Sequence, residues 1–179
     1  MTRERDRAAS REGRVVDSFK YLNPGSAMIV KSLIARAPRD PVPWTPLPRS
    51  LREATVALIS TAAISMKNDP PFDAEGERRN PWWGDPSHRV VPRAATERDI
   101  VVSHLHIDTR HLYEDLNAAL PLERLADLER AREIGRSAPS HYSFMGYLLD
   151  PTEFLASTVP AMIERMQAEG VDAAVFLPV

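Results

Sequence analysis

The sequence predicts an α/β protein, with a mainly parallel sheet flanked by helices that is truncated after a central strand. Three observations carry this. Thr55-Val-Ala-Leu-Ile-Ser-Thr61 is a short, β-rich apolar run without alternation, as expected of a strand buried on both faces. Val171-Asp-Ala-Ala-Val-Phe-Leu-Pro-Val179 has the same character. Between them lie two segments with apolar residues at helical spacing, and strands that alternate with helices build parallel sheets.

Three regions are expected. Residues 1–37 form an N-terminal arm with short helices, 38–50 a proline-rich strap, and 51–179 the α/β domain. In the arm, residues 1–13 are charged and lack apolar periodicity. Val15, Val16, Phe19 and Leu22 have helical spacing, Asn23-Pro-Gly25 ends that turn, and Ala27–Arg36 makes a second helix. The strap, Pro38-Arg-Asp-Pro-Val-Pro-Trp-Thr-Pro-Leu-Pro48, is too rich in proline for helix or central strand. It either packs Trp44 over the core or docks a partner. Residues 65–88 read as one long loop carrying Trp82-Trp83-Gly84-Asp85, and loops of that length in compact domains usually bind something. Arg89-Val-Val91 is a brief strand, and Ile100 to His106 the next. Pro121 opens a helix through Leu122, Leu125, Leu128, Ala131 and Ile134 to a cap at Gly135. Ala138–Gly146 reads as a loop. Asp150-Pro151 then starts a helix whose apolar face is Leu155, Val159, Met162, Ile163 and Met166, ending at Gly170.

Composition narrows the function classes. A chain of 179 residues suffices for one domain, which buries roughly 70% of its unfolded surface. The net charge of −2 and the interleaving of acids with bases give no footprint for nucleic acid or anionic membranes. There is no cysteine, hence neither a disulfide nor thiol chemistry within these residues. The first residues are charged in both signs, unlike a signal peptide, and the apolar run Ala27–Ile34 is too short to span a bilayer. A cytoplasmic location is the expectation.

The densest chemistry lies in Ser103-His-Leu-His-Ile-Asp-Thr-Arg-His111, which holds three of the five histidines. On a strand the side chains alternate, so His104, His106 and Asp108 share one face. These are the candidate catalytic residues, histidine being suited to moving protons near neutral pH. His104 and His106, completed by Asp108 or His111, have the donors of a zinc-type site; structural hydrogen bonding is a third reading. Asp115 either orients a histidine or belongs to a solvated turn. Arg89 is placed to clamp a carboxylate, and His141, Tyr142 and Ser143 to form a pocket wall; these four are the candidate substrate-binding residues. There is no phosphate loop, dinucleotide fingerprint or nucleophile elbow.

Several segments occur together in an order that resembles the selenoprotein B family, the components of glycine, sarcosine, betaine and D-proline reductases. They are Thr55-Val-Ala-Leu-Ile-Ser-Thr61, Gly84-Asp-Pro-Ser-His-Arg-Val-Val-Pro-Arg93, Ser103-His-Leu-His-Ile-Asp108, Asp115-Leu-Asn117 and His141-Tyr-Ser-Phe-Met-Gly146. The resemblance covers roughly residues 42–179. It implies an α/β protein that reductively cleaves a C–N bond of an amino acid or N-methylated amino acid. It also implies other reductase subunits or a homo-oligomer as partners, and a selenocysteine or cysteine nucleophile in a short redox motif just beyond a strand like Ala173–Val179.

This sequence has neither nucleophile. The expectation is therefore the N-terminal part of a longer protein, with an in-frame UGA codon after Val179 read as a stop and the selenocysteine or cysteine downstream. No other cofactor is expected within the chain. A metal-dependent hydrolase built on His104, His106 and Asp108, or a non-catalytic assembly subunit docking through the strap, are the alternatives from other classes.

Overall fold

The computed structural model describes residues 18–36, 41, 44–80, 83–105 and 107–179. The chain forms two compact units, Met1–Thr45 and Pro46–Val179, which divide within the proline-rich strap. The expected helical spacing at Val15 and Val16 lies outside the described residues, as does most of 38–43.

In the first unit a 3₁₀ turn, Ser18–Tyr21, precedes helix α1, Pro24–Arg36. The helix starts three residues before the expected Ala27. Asn23 Oδ1 accepts the Ser26 N–H at 2.9 Å, and Pro24 sits in the first turn, where its missing N–H costs nothing. Asn23-Pro-Gly25 therefore opens a helix as well as closing a turn. Lys31 Nζ lies 5.0 Å over the Phe19 ring. Trp44 is 87% exposed.

The second unit is a mixed, mostly parallel sheet flanked by helices. Its strands are β1 (Thr55–Ser60), β3 (His88–Pro92), β5 (Arg136–Ser137), β6 (Ser140–Phe144) and β7 (Ala173–Leu177). Parallel β1 is central. Val56 pairs with Ser137 on one edge and Ala173 on the other, and Ile59 with Tyr142 and Phe176. β5 and β6 therefore share one edge of β1, and β7 takes the other. β3 closes the far side of β6, antiparallel. All six residues of β1 are buried, as its unbroken apolar run predicts.

The strand's period of two splits the core. Val56 and Leu58 join a cluster with Val91, Ile100, Leu120, Leu122 and Leu125 on one face. Ala57 and Ile59 join Tyr142 and Met162 on the other. The first face is covered by helix α4 (Leu122–Arg130), the second by helix α5 (Val159–Ala168), entered through a π-helical turn, Phe154–Thr158. α4 stops before the expected Ile134 because the chain reverses at Arg132, whose φ is 57. No helix among the described residues is long and apolar enough to cross a membrane.

Two segments differ from expectation. Residues 65–88 are not one loop: they hold the end of strand β2 (Ile64–Met66) and helix α2 (Ala74–Arg79), capped where Asp73 Oδ1 accepts the Gly76 N–H at 2.8 Å. The strand expected from Ile100 to His106 ends early, as β4 (Ile100–Val102), and pairs antiparallel with β2 in a separate ribbon. β7 is half bare. Val175 is 45% exposed on one face and Phe176 66% exposed on the other. Its outer edge has no strand partner among the described residues.

Candidate active site at the carboxyl end of the sheet

In parallel α/β sheets ligands bind outside the carboxyl ends of the strands, so the site is built there. β1 ends at Ser60, β6 at Phe144 and β7 at Leu177, and the residues that follow converge. The Thr61 N–H donates to Leu177 O at 3.2 Å. Thr61 Oγ1 accepts the Val179 N–H at 2.8 Å and donates to Val179 O at 3.4 Å. The Gly146 N–H donates to Thr61 O at 3.1 Å, and a Cβ on Gly146 would lie 2.8 Å from Thr61 Cβ, so only glycine fits. Ala62 bridges Met145. Ala63 turns the chain with a left-handed φ of 52, a conformation that costs a non-glycine residue about 1 kcal/mol or more and recurs at functional sites.

The carbonyl of Ala63 accepts the Ser103 N–H at 3.0 Å. This brings the histidine-rich segment to the end of β1, as the sequence suggested, by a different route. Because β4 ends at Val102, strand alternation does not carry past it. His104 is partly buried, and His106 lies outside the described residues. Asp108 points to solvent, where its carboxylate accepts the Arg110 N–H at 3.1 Å and pairs with the Arg110 guanidinium at 2.7 Å. Those bonds, Arg110's side chain foremost, hold its carboxyl below the usual carboxylate range. The turn they make opens a short helix, α3 (Arg110–Glu114). Among the described residues no group of three or more His, Cys, Asp or Glu side chains converges to hold a metal ion. Asp115 accepts from the backbone and side chain of Asn117, which makes it part of a solvated turn.

The four candidate substrate-binding residues are placed structurally. Arg89 donates to Pro70 O, Pro71 O, His88 O and Ser87 Oγ at 2.7–3.0 Å and stacks over Phe72. Its fork is filled by the loops it joins. His141, Tyr142 and Ser143 are fully buried on β6, not in a loop. Ser143 Oγ accepts the Ile64 N–H and donates to Ser60 O, tying β6 to the turn after β1. His141 Nδ1 accepts the Leu58 N–H at 3.0 Å, a bond considered further below. The Tyr142 hydroxyl is buried with no hydrogen-bond partner among the described residues, and burial pushes its pKa up to about 12. An unpaired buried hydroxyl costs about 1–3 kcal/mol of desolvation. Tyr142→Phe is therefore expected to raise stability by about 1 kcal/mol, read as a higher urea midpoint with an unchanged slope. A fall of similar size would show that the hydroxyl is satisfied in solution.

One of the open clefts lies on the α5 side of this end. A cleft of about 370 Å³ is lined by Trp83, Gly84, Pro86, Asp150, Thr152, Glu153, Ala156 and Ser157. Trp83 and Gly84 come from the tryptophan-bearing segment singled out in the sequence; Trp82 lies outside the described residues. The cleft's other wall, Asp150–Ser157, was legible only as a helix start. Nothing in its spacing announced that the first turn of this helical segment faces Trp83.

The chain is thus an α/β protein with a small cleft beside a backbone junction of three strands at the carboxyl edge of its mostly parallel sheet. The chain is similar to D-proline reductase subunit gamma of Acetoanaerobium sticklandii, 34% identical over 148 residues. The match covers 81% of this chain and 58% of that protein, so the chain spans under two thirds of its relative's length. The similarity supports a relation to that reductase family. No family model matches the sequence, and no solved structure matches it.

Proposed function

We propose that this chain is part of a reductase component that cleaves a C–N bond of an amino acid or N-methylated amino acid, acting with other subunits. The reacting selenium or sulfur is carried on polypeptide outside it, presented just past β7. The observation that carries the reading is the similarity to a D-proline reductase subunit over four fifths of the chain. D-proline is the first substrate to test; glycine, sarcosine and betaine follow. Cleavage of the ring C–N bond consumes two electrons and two protons and opens D-proline to a linear amino acid. A thiol pair, oxidised to a disulfide, is a sufficient electron source.

Two features support the placement. The Thr61 clamp fixes the backbone that leaves β7 at the end of the sheet where α/β proteins work. β7 is partly exposed, at Val175 on one face and Phe176 on the other, a poor state for a parallel strand, which is normally covered. His104 supplies a proton-moving group on the segment that docks at the end of β1, and His106 and Asp108 are proposed to act with it.

The test begins with the gene. An in-frame UGA after the Val179 codon, followed by an open frame with further α/β sequence, is expected. Protein read through that codon and combined with its partner subunits should turn over D-proline with a dithiol, whereas the 179-residue chain in the same mixture should not. Turnover by the 179-residue chain alone sinks the reading.

A further inference from the structure

We propose that the cleft between Trp83–Pro86 and the start of the last helical segment binds a small organic ammonium cation. Its polar chemistry has one sign. Asp150 and Glu153 supply carboxylates and Trp83 an indole, with no lysine, arginine or histidine among the described residues of the lining. An aromatic face beside carboxylates attracts a cation and repels an anion, and indole is the strongest of the aromatic rings in this role. At about 370 Å³ the space suits a ligand of few heavy atoms.

The walls are fixed before any ligand arrives. Thr158 Oγ1 donates to Pro86 O at 2.7 Å, pinning the π-helical turn against the opposite loop. Single π turns recur at functional sites. Gly84 lies so close to Tyr147 that a Cβ would meet its carbonyl oxygen at 1.8 Å. Asp85 anchors the same loop by accepting from Asp73 N–H and Ser87 N–H at 2.9 and 2.8 Å. A helix start ordinarily favours anions. Here Asp150 Oδ1 already accepts the Thr152 N–H at 3.0 Å and the Thr152 hydroxyl at 2.6 Å. Those bonds hold the Asp150 carboxyl below its usual range and keep it charged at neutral pH. The inference rests on the reductase reading only in assigning the ammonium to a substrate amine; binding itself does not depend on turnover.

The probe is choline, compared with its neutral isostere 3,3-dimethyl-1-butanol, titrated into the full chain at constant ionic strength. Amide chemical shifts are the readout. Saturable shifts at Gly84, Thr152 and Ser157 are expected with choline, and binding of the isostere at least fivefold weaker. Trp83→Leu and Glu153→Gln should each weaken choline at least fivefold while leaving the shifts of β1 unchanged, which shows that the fold is intact. Equal binding of the two probes, no saturable shift, or choline binding indifferent to both variants overturns the proposal. A read-through reductase that fails on every amino acid tested while choline still binds would sink the functional reading and leave this site standing.

Discussion

Taking the chain from pH 7 to pH 4 is expected to remove about 3 kcal/mol of its unfolding free energy through one side chain, His141. The cause is a gap in the sheet. On one edge of β1, β5 pairs with Thr55 and Val56 and β6 with Ile59 and Ser60. Between them the Leu58 N–H would be a buried donor without a strand partner. The imidazole fills the gap, Nδ1 accepting that N–H at 3.0 Å. Because an amide can only donate, Nδ1 carries no proton, and the ring's proton sits on Nε2, facing Ser137 Oγ at 3.2 Å. Burial foremost, then the charge of Arg93, lowers the His141 pKa to about 4, against an opposing pull from Glu169.

The sign follows. The folded pKa lies below the unfolded value near 6.5, so between the two the unfolded state binds the extra proton. The contribution is whole above about pH 6.5 and drains away as pH falls toward 4. Urea unfolding at steps from pH 7 to 4 measures it. His141→Asn, which keeps an acceptor but cannot titrate, should flatten the profile over that window. His141→Ala should cost about 3 kcal/mol at pH 7, from the orphaned amide and the cavity together. An unchanged slope in His141→Asn would assign the acid sensitivity elsewhere.

Gly84→Ala is expected to cost on the order of 3 kcal/mol and to abolish choline binding in the cleft. The new methyl would lie 1.8 Å from the carbonyl oxygen of Tyr147 and 3.0 Å from its carbon. Backbone cannot swing aside as a flexible side chain can. Tyr147 follows directly on Gly146, which is held against Thr61 at the end of β1. The two walls of the cleft must therefore part. A control lies in α1, where a Cβ on Gly25 meets nothing nearer than Asn23 Oδ1 at 3.4 Å. There Gly25→Ala should be neutral or stabilise by about 0.5–1 kcal/mol, the usual gain of alanine over glycine in a helix. Unfolding midpoints of the two variants give the comparison; equal effects would show that the contact at Gly84 relaxes freely.

The parts of the fold set by local pattern were legible. β1 is apolar throughout and must be buried on both faces wherever it lies. Pro121 and Asp150-Pro151 mark where the two helical segments begin, and Leu122, Leu125 and Met162 are buried as their spacing predicts, whereas Leu128, Leu155 and Ile163, expected on the same faces, are exposed. The short apolar run at Val90 and Val91 marks β3. The same reasoning went astray at Ser140-His-Tyr-Ser-Phe144, read as a loop because its polar residues show no burial pattern. It is a core strand because its serine and histidine side chains are satisfied by distant partners: Leu58 and Ile64 supply donors, Ser60 an acceptor, and Glu169 accepts from Ser140. Nor does the sequence show that β4 stops at Val102, ending the alternation that made three titratable groups look aligned, or that Asp108 turns outward to Arg110.

By itself, then, the sequence determined which segments are apolar enough to be buried, where helices begin, and which family the ordered segments resemble. The tertiary structure alone decided that His141 mends a gap in β1 from 83 positions away, that Arg89 is consumed by the loops it joins, and that Trp83 faces Asp150 and Glu153 across a cleft. The reason is physical. Burial follows a local periodicity of two or 3.6 residues that any segment displays alone, whereas a hydrogen bond or a cleft depends on the pairing of segments far apart in the chain.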